Sequence, residues 1–305
     1  MNPKALEALN RQFAIRDRLF FREGPGGLTI AEISHSDGEA TVALHGGHIL
    51  SFRPRHHPPV LWLSREARFE AGRAIRGGIP VCWPWFADHP SNNRLPAHGL
   101  VRTTVWTPSA SKTLADGSTL LKLSTADSEE TMPRWPHRFR LEIAVSVSDV
   151  LRVALTATNT DHSAFACTGA LHSYFNISAP ANIRIKGVAG VAYLDKVDRM
   201  RRKVQDGDVC IDRETDRIYV DTEAACSIED RGLKRCIGIA KTGSRTTVIW
   251  NPWVDKAAAM KDFGDDEYQT MVCVETANAG PDRVRLAPGE SHTLEAGIHS
   301  ETLDI

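Results

Sequence analysis

The sequence predicts an all-β protein, a large antiparallel β-sandwich with few short helices. Between residues 141 and 147, and again between 151 and 157, every second residue is aliphatic, which is the period of a strand with one buried face. Turn pairs such as Asp-Gly at 116–117 and Pro-Gly at 288–289 separate segments of this kind along the chain. Many strands joined by tight turns are typical of large sandwiches.

The first thirteen residues are predicted to form a short amphipathic helix, and short helices are also expected at 65–70 and 256–261. The alternating runs on either side of the turn at 148–150 predict a β-hairpin. Further strands are predicted at 28–34, 40–52, 120–125, 183–185, 218–220, 226–230, 236–241, 246–249, 271–276 and 292–299.

The whole chain, residues 1–305, is expected to be one domain. We find no internal repeat, low-complexity tract or linker-like change in composition. The usual length of about 100–200 residues per domain would allow two, but all-β sandwiches often run longer as a single unit.

Composition and charge narrow the possible partners. Hydrophobic residues make up 42% and charged residues 25%, and the formal net charge is −1, so no overall field attracts nucleic acid or an anionic membrane. No run approaches the roughly 18–20 apolar residues that span a bilayer, and the N-terminus lacks a secretory apolar stretch. The six cysteines include no CxxC pair. We therefore expect a cytoplasmic monomer that acts on a small molecule.

Two arginines and a histidine stand in a segment that Gly and Pro interrupt. Arg76 opens the run 76–86, which contains three large aromatic residues, and His98 and Arg102 follow shortly after. A guanidinium group matches two oxygens of a phosphate, and aromatic faces suit sugar rings. The segment predicts a site for a phosphorylated sugar. The alternative is that the arginines pair with surface carboxylates and the tryptophans fill the core.

Two predicted strands carry polar residues on one face only. In 168–177, interpreted as one strand, His172 shares a face with Tyr174, while the other face is apolar. In 271–278, Glu275 lies between small apolar residues, where an unpaired carboxylate is costly. Each residue alone could be structural. On a common face they would form a general acid and a general base.

The twelve histidines do not predict a metal site. His45 and His48 should point to opposite faces, and the pair at 56–57 precedes two prolines in a loop, so no convergent set of ligands results. A P-loop and a Rossmann glycine pattern are also absent. We expect the protein to need no cofactor.

Several motifs together resemble the aldose 1-epimerases, the galactose mutarotase-like β-supersandwich proteins, and within them the hexose-6-phosphate mutarotases, or glucose-6-phosphate 1-epimerases. The motifs spread over most of the chain in the family's order. They are Ala-Ile-Arg-Gly-Gly-Ile-Pro at 74–80, Trp-Pro-Trp-Phe at 83–86, Leu-Pro-Ala-His-Gly-Leu-Val-Arg at 95–102, Leu-His-Ser-Tyr-Phe at 171–175, Tyr-Leu-Asp-Lys at 193–196, Trp-Asn-Pro-Trp at 250–253 and Val-Glu-Thr-Ala at 274–277.

The resemblance implies roles at the reacting end of a sugar. Glu275 would be the general base that takes the proton from the anomeric hydroxyl, and His172 the general acid that protonates the ring oxygen. Asp195 would hold sugar hydroxyls. The C1–O5 bond would then break, the open aldehyde would rotate about C1–C2, and the ring would close on its other face.

At the other end of the sugar, the resemblance implies that Arg76 and Arg102 select the phosphorylated substrate and that His98 assists at the ring. This chain has Ala97 where some members have a polar Gln, so one contact would be absent or supplied by His98 or Asn93. The function expected is the interconversion of the α and β anomers of a hexose 6-phosphate. A mutarotase for unphosphorylated aldoses and a non-catalytic sugar-phosphate binding protein stay open as alternatives.

Overall fold

The computed structural model describes residues 3–303; Met1 and Asn2 of the predicted N-terminal helix lie outside this range. The described chain contains two α-helices, α1 Pro3–Phe13 and α2 Trp253–Ala259, and short 3₁₀ helices at Pro25–Gly27, Val101–Thr103, Pro180–Asn182 and Glu267–Gln269. The strands are β1 Leu19–Glu23, β2 Thr29–His35, β3 Gly38–Ala43, β4 His48–Pro54, β5 Val81–Cys82, β6 Thr107–Thr113, β7 Thr119–Ala126, β8 Phe139–Val147, β9 Leu151–Asn159, β10 Phe165–Cys167, β11 Gly169–Leu171, β12 Tyr174–Asn176, β13 Ile183–Lys186, β14 Ala192–Asp195, β15 Arg201–Val204, β16 Thr215–Tyr219, β17 Cys226–Asp230, β18 Arg235–Thr242, β19 Thr246–Asn251, β20 Met271–Asn278, β21 Val284–Leu286 and β22 Ser291–Thr302.

These strands form antiparallel sheets, which confirms the predicted fold class. One sheet of eight strands has the order β15-β14-β16-β19-β20-β11-β5, with β12 also beside β20. A second sheet of eight has the order β13-β17-β18-β22-β9-β8-β7-β6. A four-stranded sheet, β1-β2-β3-β4, and the pair β10-β21 complete the described sheets.

One large cluster of buried apolar side chains joins these sheets. It includes Phe21 from the four-stranded sheet, Val274 from the first eight-stranded sheet, Ile298 from the second, and Leu286 from β21. Alternation along each strand sends one set of side chains into this cluster, as expected for a sandwich. The prediction of a single domain stays a prediction, and the shared core supports it.

Strand β20 separates the core from the side of the sheet on which polar residues collect. Val272 and Val274 point into the large cluster, whereas Cys273 and Ala277 belong to two smaller clusters on the opposite face. Glu275 shares that opposite face because side chains alternate along a strand. The predicted hairpin is also confirmed, with β8 and β9 paired across the turn at 148–150.

Several predicted elements were wrong in extent or kind. The segment 65–70 is not a helix, because its start is bonded to the carboxylate of Glu267. The predicted strand 40–52 is two strands, since Gly46 and Gly47 adopt φ of 76° and 56° in a turn between them. The helix predicted at 256–261 begins earlier, at Trp253, whose N–H donates to Asn251.

The predicted strand 168–177 is interrupted at His172, whose N–H donates to the Pro80 carbonyl (3.1 Å) and not to β20. The pieces on either side, β11 and β12, keep one register along β20. Among residues 3–303, none of the helices combines the length and the apolar character needed to cross a membrane.

Candidate active site

The structure brings His172 and Glu275 together. The imidazole Nε2 lies 3.5 Å from the carboxylate Oε1, and the side chains are 10% and 1% exposed. They meet because β12 and β11 both pair with β20, so His172 stands beside the face of β20 that carries Glu275. The sequence predicted a polar face for each residue on its own strand, and in the structure the two faces are one.

Burial controls the protonation of this pair. It raises the pKa of Glu275 well above its ordinary value; Asp216 adds to the rise and Lys196 opposes it. Burial, together with His98 and the nearby arginines, lowers the pKa of His172 well below its ordinary value. Two coupled groups shifted in these directions hold one proton between them over a wide pH range.

Each member of the pair also keeps a buried polar atom without a hydrogen-bond partner in the described protein, Nδ1 of His172 and Oε2 of Glu275. Unpaired polar atoms in a buried place are costly, and they are expected where a substrate supplies the missing partners. The pair can therefore give a proton to one substrate oxygen and take a proton from another.

Aromatic rings hold the His172 ring in place. Tyr174 stacks on it with ring centroids 4.8 Å apart and planes 10° from parallel, and Trp250 approaches edge-on at 6.1 Å. His98 lies on another side at 5.2 Å, with Phe86 against both histidines. Burial and the charge of Arg102 lower the pKa of His98 well below its ordinary value, so a neutral imidazole faces the pocket.

A tight backbone turn places Arg76 at this pocket. The following residues, Gly77 and Gly78, have φ of 103° and 62°, and a Cβ on Gly78 would lie 2.2 Å from the carbonyl oxygen of Ile49. From this turn Arg76 donates through Nη1 to the Tyr174 hydroxyl (3.0 Å) and through Nη2 to both carboxylate oxygens of Asp262 (3.2 Å each). Burial works to lower the pKa of Arg76, but Tyr174 and Asp262 outweigh it and raise that pKa.

Arg102 has a different environment in the same pocket. It lies in the 3₁₀ helix Val101–Thr103, and its Nη2 donates to the Ala97 carbonyl (2.7 Å). No ion pair joins it to a carboxylate of the described residues. Burial lowers the pKa of Arg102, yet a guanidinium stays protonated at neutral pH. Arg102 is thus a charged group poised for an anion.

These residues line a cavity of about 320 Å³. His98, His172 and Tyr174 line it together with Arg76, Arg102 and Asp262, and Glu275 lies 3.5 Å from the lining residue His172. Arg68, Arg73 and Lys261 also line it, so cations outnumber carboxylates. The cavity has the size, rings and charge that suit a sugar carrying an anionic group.

Asp195 does not join this group. Its Oδ2 accepts from Lys203 (2.8 Å), and its Oδ1 accepts from the backbone N–H groups of Val197 and Asp198. Asp216 takes the place beside Glu275 instead. It is buried and forms an ion pair with Lys196 (Nζ–Oδ2 2.8 Å).

The sequence analysis missed Asp216, although the alternation of residues along the chain contains a signal for it. Asp216 stands between Thr215 and Arg217 at the start of a short run with period two, and a carboxylate within a buried strand is costly without a partner. The analysis also missed Asp262, for which the sequence offers no signal, because its role depends on a contact with the distant Arg76.

The aromatic surface is smaller than predicted. Trp83 packs against Trp135, Phe139 and Phe165 in the core, and Trp85 is also buried. The alternative that the tryptophans fill the core is correct for these two residues. Phe86 is the aromatic residue of that segment which contacts the histidines.

Histidines 45 and 48 are structural, since their Nε2 atoms bond to the carbonyls of Arg73 and Gly77 (2.7 Å each). Among the described residues, one cluster has donor atoms close enough to converge on a metal ion: His172, Cys273 and Glu275, within 4.8 Å of one another. The expectation that the protein needs no metal stays a prediction.

An antiparallel sandwich with a buried carboxylate–imidazole pair beside a cationic pocket fits a carbohydrate-modifying enzyme of the epimerase class. The family model for aldose 1-epimerase matches residues 29–299. The chain belongs to the aldose 1-epimerase family, and the predicted isomerase class is confirmed.

Relatives agree with this assignment. A protein of Salmonella typhimurium provisionally named glucose-6-phosphate 1-epimerase is 38% identical over 253 residues, which cover 83% of this chain and 84% of the relative. A crystal structure from Salmonella typhimurium, provisionally described as a mutarotase, superposes with a TM-score of 0.88 at 33% identity and covers 95% of this chain and 96% of the other. A galactose mutarotase-like protein of Clostridium acetobutylicum shares the fold, with a TM-score of 0.74 at 16% identity and coverage of 94% and 100%.

Proposed function

We propose that this protein interconverts the α and β anomers of a hexose 6-phosphate, with glucose 6-phosphate as the first candidate. The observation that carries the proposal is a proton-sharing pair, His172 and Glu275, whose histidine lines the same pocket as Arg76 and Arg102. The relatives whose names include glucose-6-phosphate 1-epimerase support the same substrate.

In the proposed mechanism, the sugar lies with its C1–O5 bond over the pair. The Glu275 carboxylate takes the proton of the C1 hydroxyl while the protonated His172 gives its proton to O5, and the C1–O5 bond breaks. This reactive form has the same number of protons as the neutral pair, so no proton has to enter from solvent. Rotation about C1–C2 and the reverse transfers close the ring on the other face.

The sugar hydroxyls require a further group, and we assign this role to Asp216 with its partner Lys196, in place of Asp195. Both carboxylate oxygens of Asp195 already accept hydrogen bonds from the protein, whereas Asp216 influences Glu275 directly. His98 is proposed to contact the substrate at the ring as a neutral imidazole.

The two alternatives make different demands on the site. A non-catalytic binder needs hydrogen-bonding groups but no matched acid and base. A mutarotase for unphosphorylated aldoses would gain little from a buried cation such as Arg102 that lacks a carboxylate partner. We therefore place both behind the hexose 6-phosphate proposal.

We further propose that the protein acts as a monomer in the cytoplasm. The groups named above all come from one chain, which supports catalysis without a partner subunit. The six cysteines are free in the structure, as expected in a reducing compartment.

The test is anomer exchange of glucose 6-phosphate measured by magnetisation-transfer NMR. The native protein should exchange the anomers above the spontaneous rate, and Glu275→Gln should lower the catalysed rate by about 10²- to 10⁴-fold because the base is lost. Glu142→Gln, a substitution of a β8 carboxylate paired with Lys122, is the matched control and should leave the rate unchanged. Spontaneous exchange alone in the native protein would refute the proposal.

A further inference from the structure

The carboxylate of Asp262 already occupies the arginine to which a phosphate would bind. Both of its oxygens lie 3.2 Å from Nη2 of Arg76, and the Tyr174 hydroxyl takes the other terminal nitrogen at 3.0 Å. Phosphate and carboxylate use the same donors of a guanidinium group. With Asp262 in this position, the charge of Arg76 is balanced before any substrate arrives.

The two residues that follow Asp262 fix the position of its backbone. Phe263 is buried and packs on Trp62 with ring centroids 5.1 Å apart. The N–H of Gly264 donates to Oε2 of Glu267 (2.8 Å), which is itself buried. The backbone at Asp262 is therefore anchored, while its side chain keeps 27% exposure and lines the pocket. Displacement of the carboxylate from Arg76 would therefore require a change in the side chain and not in the anchored backbone.

The second arginine of the pocket lacks such a partner. Arg102 donates to the Ala97 carbonyl, and no described carboxylate forms an ion pair with it. A phosphate dianion that enters the pocket thus meets one guanidinium without an ion-pair partner among the described residues, at Arg102, and one that is paired with Asp262. It also meets the negative charge of Asp262, and like charges brought close together repel strongly.

We propose that Asp262 is a built-in competitor for the phosphate group: its carboxylate holds Nη2 of Arg76 in the empty pocket, and the phosphate of the substrate binds by displacing it. This inference deepens the proposed function and rests on its assignment of Arg76 to the phosphate. A neutral sugar cannot displace a carboxylate from an arginine, so it would leave the Arg76–Asp262 pair closed. Asp262 is then a residue that determines specificity for charge.

The experiment measures the binding of inorganic phosphate by calorimetry. It is done at a pH of about 8. The second pKa of a phosphate monoester is about 6, so a phosphate group is mainly dianionic at that pH. Asp262→Asn removes the competing charge and keeps the size of the side chain. We expect it to lower the Kd for phosphate by about tenfold. The Kd for unphosphorylated glucose should not change.

Asp266→Asn is the matched control. Asp266 lies in the same stretch of chain and pairs with Arg65 at 2.6 Å, but both side chains are exposed and outside the pocket. It should leave the Kd for phosphate as it is in the native protein. In a background of Arg76→Ala, the gain from Asp262→Asn should shrink, because the arginine that the two anions share is gone.

Unchanged or weaker phosphate binding by a folded Asp262→Asn protein would overturn the inference and make Asp262 a residue that orients Arg76. Asp262→Ser, which also removes the charge, serves if the Asn variant does not fold, and it must show the same tightening. The binding readout does not require turnover. Tighter phosphate binding without catalysed anomer exchange in the native protein would therefore retain this inference and refute the proposed reaction.

Discussion

His172 and Glu275, the acid–base end of the site, differ in charge from Arg76 and Arg102, its arginine end. At the acid–base end, His172 and Glu275 are almost fully buried, and each leaves a polar atom without a protein partner. At the arginine end, the terminal nitrogens of Arg76 contact Tyr174 and Asp262, and Arg102 donates to a carbonyl. Nε of Arg76 is also without a partner in the described protein, but both guanidinium groups keep their charge.

The difference follows from what each end must do. A binding group works best when it is held in place before the ligand arrives, since less conformational freedom is lost on binding. A group that transfers protons needs a pKa that its surroundings have shifted and a free position for the substrate. Burial supplies the first requirement at the pair, and the unpartnered atoms supply the second.

The largest effect should come from the acid–base end. His172→Asn removes the proposed acid at the ring oxygen and should lower kcat/KM for glucose 6-phosphate by about 10²- to 10⁴-fold. The Kd for inorganic phosphate should stay close to its native value, because burial and the nearby arginines lower the pKa of His172 and the imidazole that is lost is neutral near neutral pH. Steady-state kinetics and calorimetry on the same preparation measure both quantities. His56→Asn, at an exposed loop position, is the control.

If His172→Asn lost as much phosphate affinity as rate, the result would contradict the distinction between the two ends. It would mean that the imidazole contributes to binding and that the pocket has no separate ends.

A smaller effect is expected at the arginine end. Arg102→Ala should weaken the binding of glucose 6-phosphate by about 10- to 100-fold, since hydrogen bonds to charged groups contribute about 1.5–3 kcal/mol. Binding of glucose should change much less. Arg94→Ala, an exposed arginine of the neighbouring loop, should leave both unchanged. An equal loss for the two sugars would refute the phosphate role of Arg102.

The smallest effect should appear as a shift in pH dependence. The pair is active with one proton, so kcat/KM should fall at low pH, when His172 gains a second proton, and at high pH, when the proton held by Glu275 is lost. Asp216 helps to raise the pKa of Glu275. Asp216→Asn should therefore move the alkaline limb to lower pH, with a loss of about tenfold or less in the maximum rate.

Asp212→Asn is the control for this profile. Asp212 lies a few residues before Asp216 in the chain and is an exposed carboxylate paired with Arg213. An alkaline limb in Asp216→Asn that stays where the native protein has it, or moves to higher pH, would show that Asp216 does not act on Glu275.

The strand pattern was readable from the sequence because burial on one face leaves a period of two. It predicted the β8–β9 hairpin and the faces of β20, and with them the side of the sheet that carries Glu275. The Gly and Pro residues after Arg76 likewise indicated that this segment is not one regular element, and the structure has a turn there. These features depend on neighbours in the chain, so the sequence contains the information.

Asp195 shows where such local information ends. Asp195 pairs with Arg217 across β14 and β16, and paired residues of neighbouring strands share a face. Asp216, one residue before Arg217, thus lies on the opposite face. That face carries Trp250, which pairs with Asp216 across β16 and β19, and Cys273, which pairs with Trp250 across β19 and β20. A shift of one residue decides which aspartate reaches the site.

Residue type and spacing were enough to predict the all-β class, a polar strand face for each of His172 and Glu275, and two arginines within one irregular segment. The tertiary structure alone decided that Asp216 stands beside Glu275 and that Asp262 holds Arg76. Register between strands and contacts between distant segments set these pairings, and they are fixed when the whole sandwich packs.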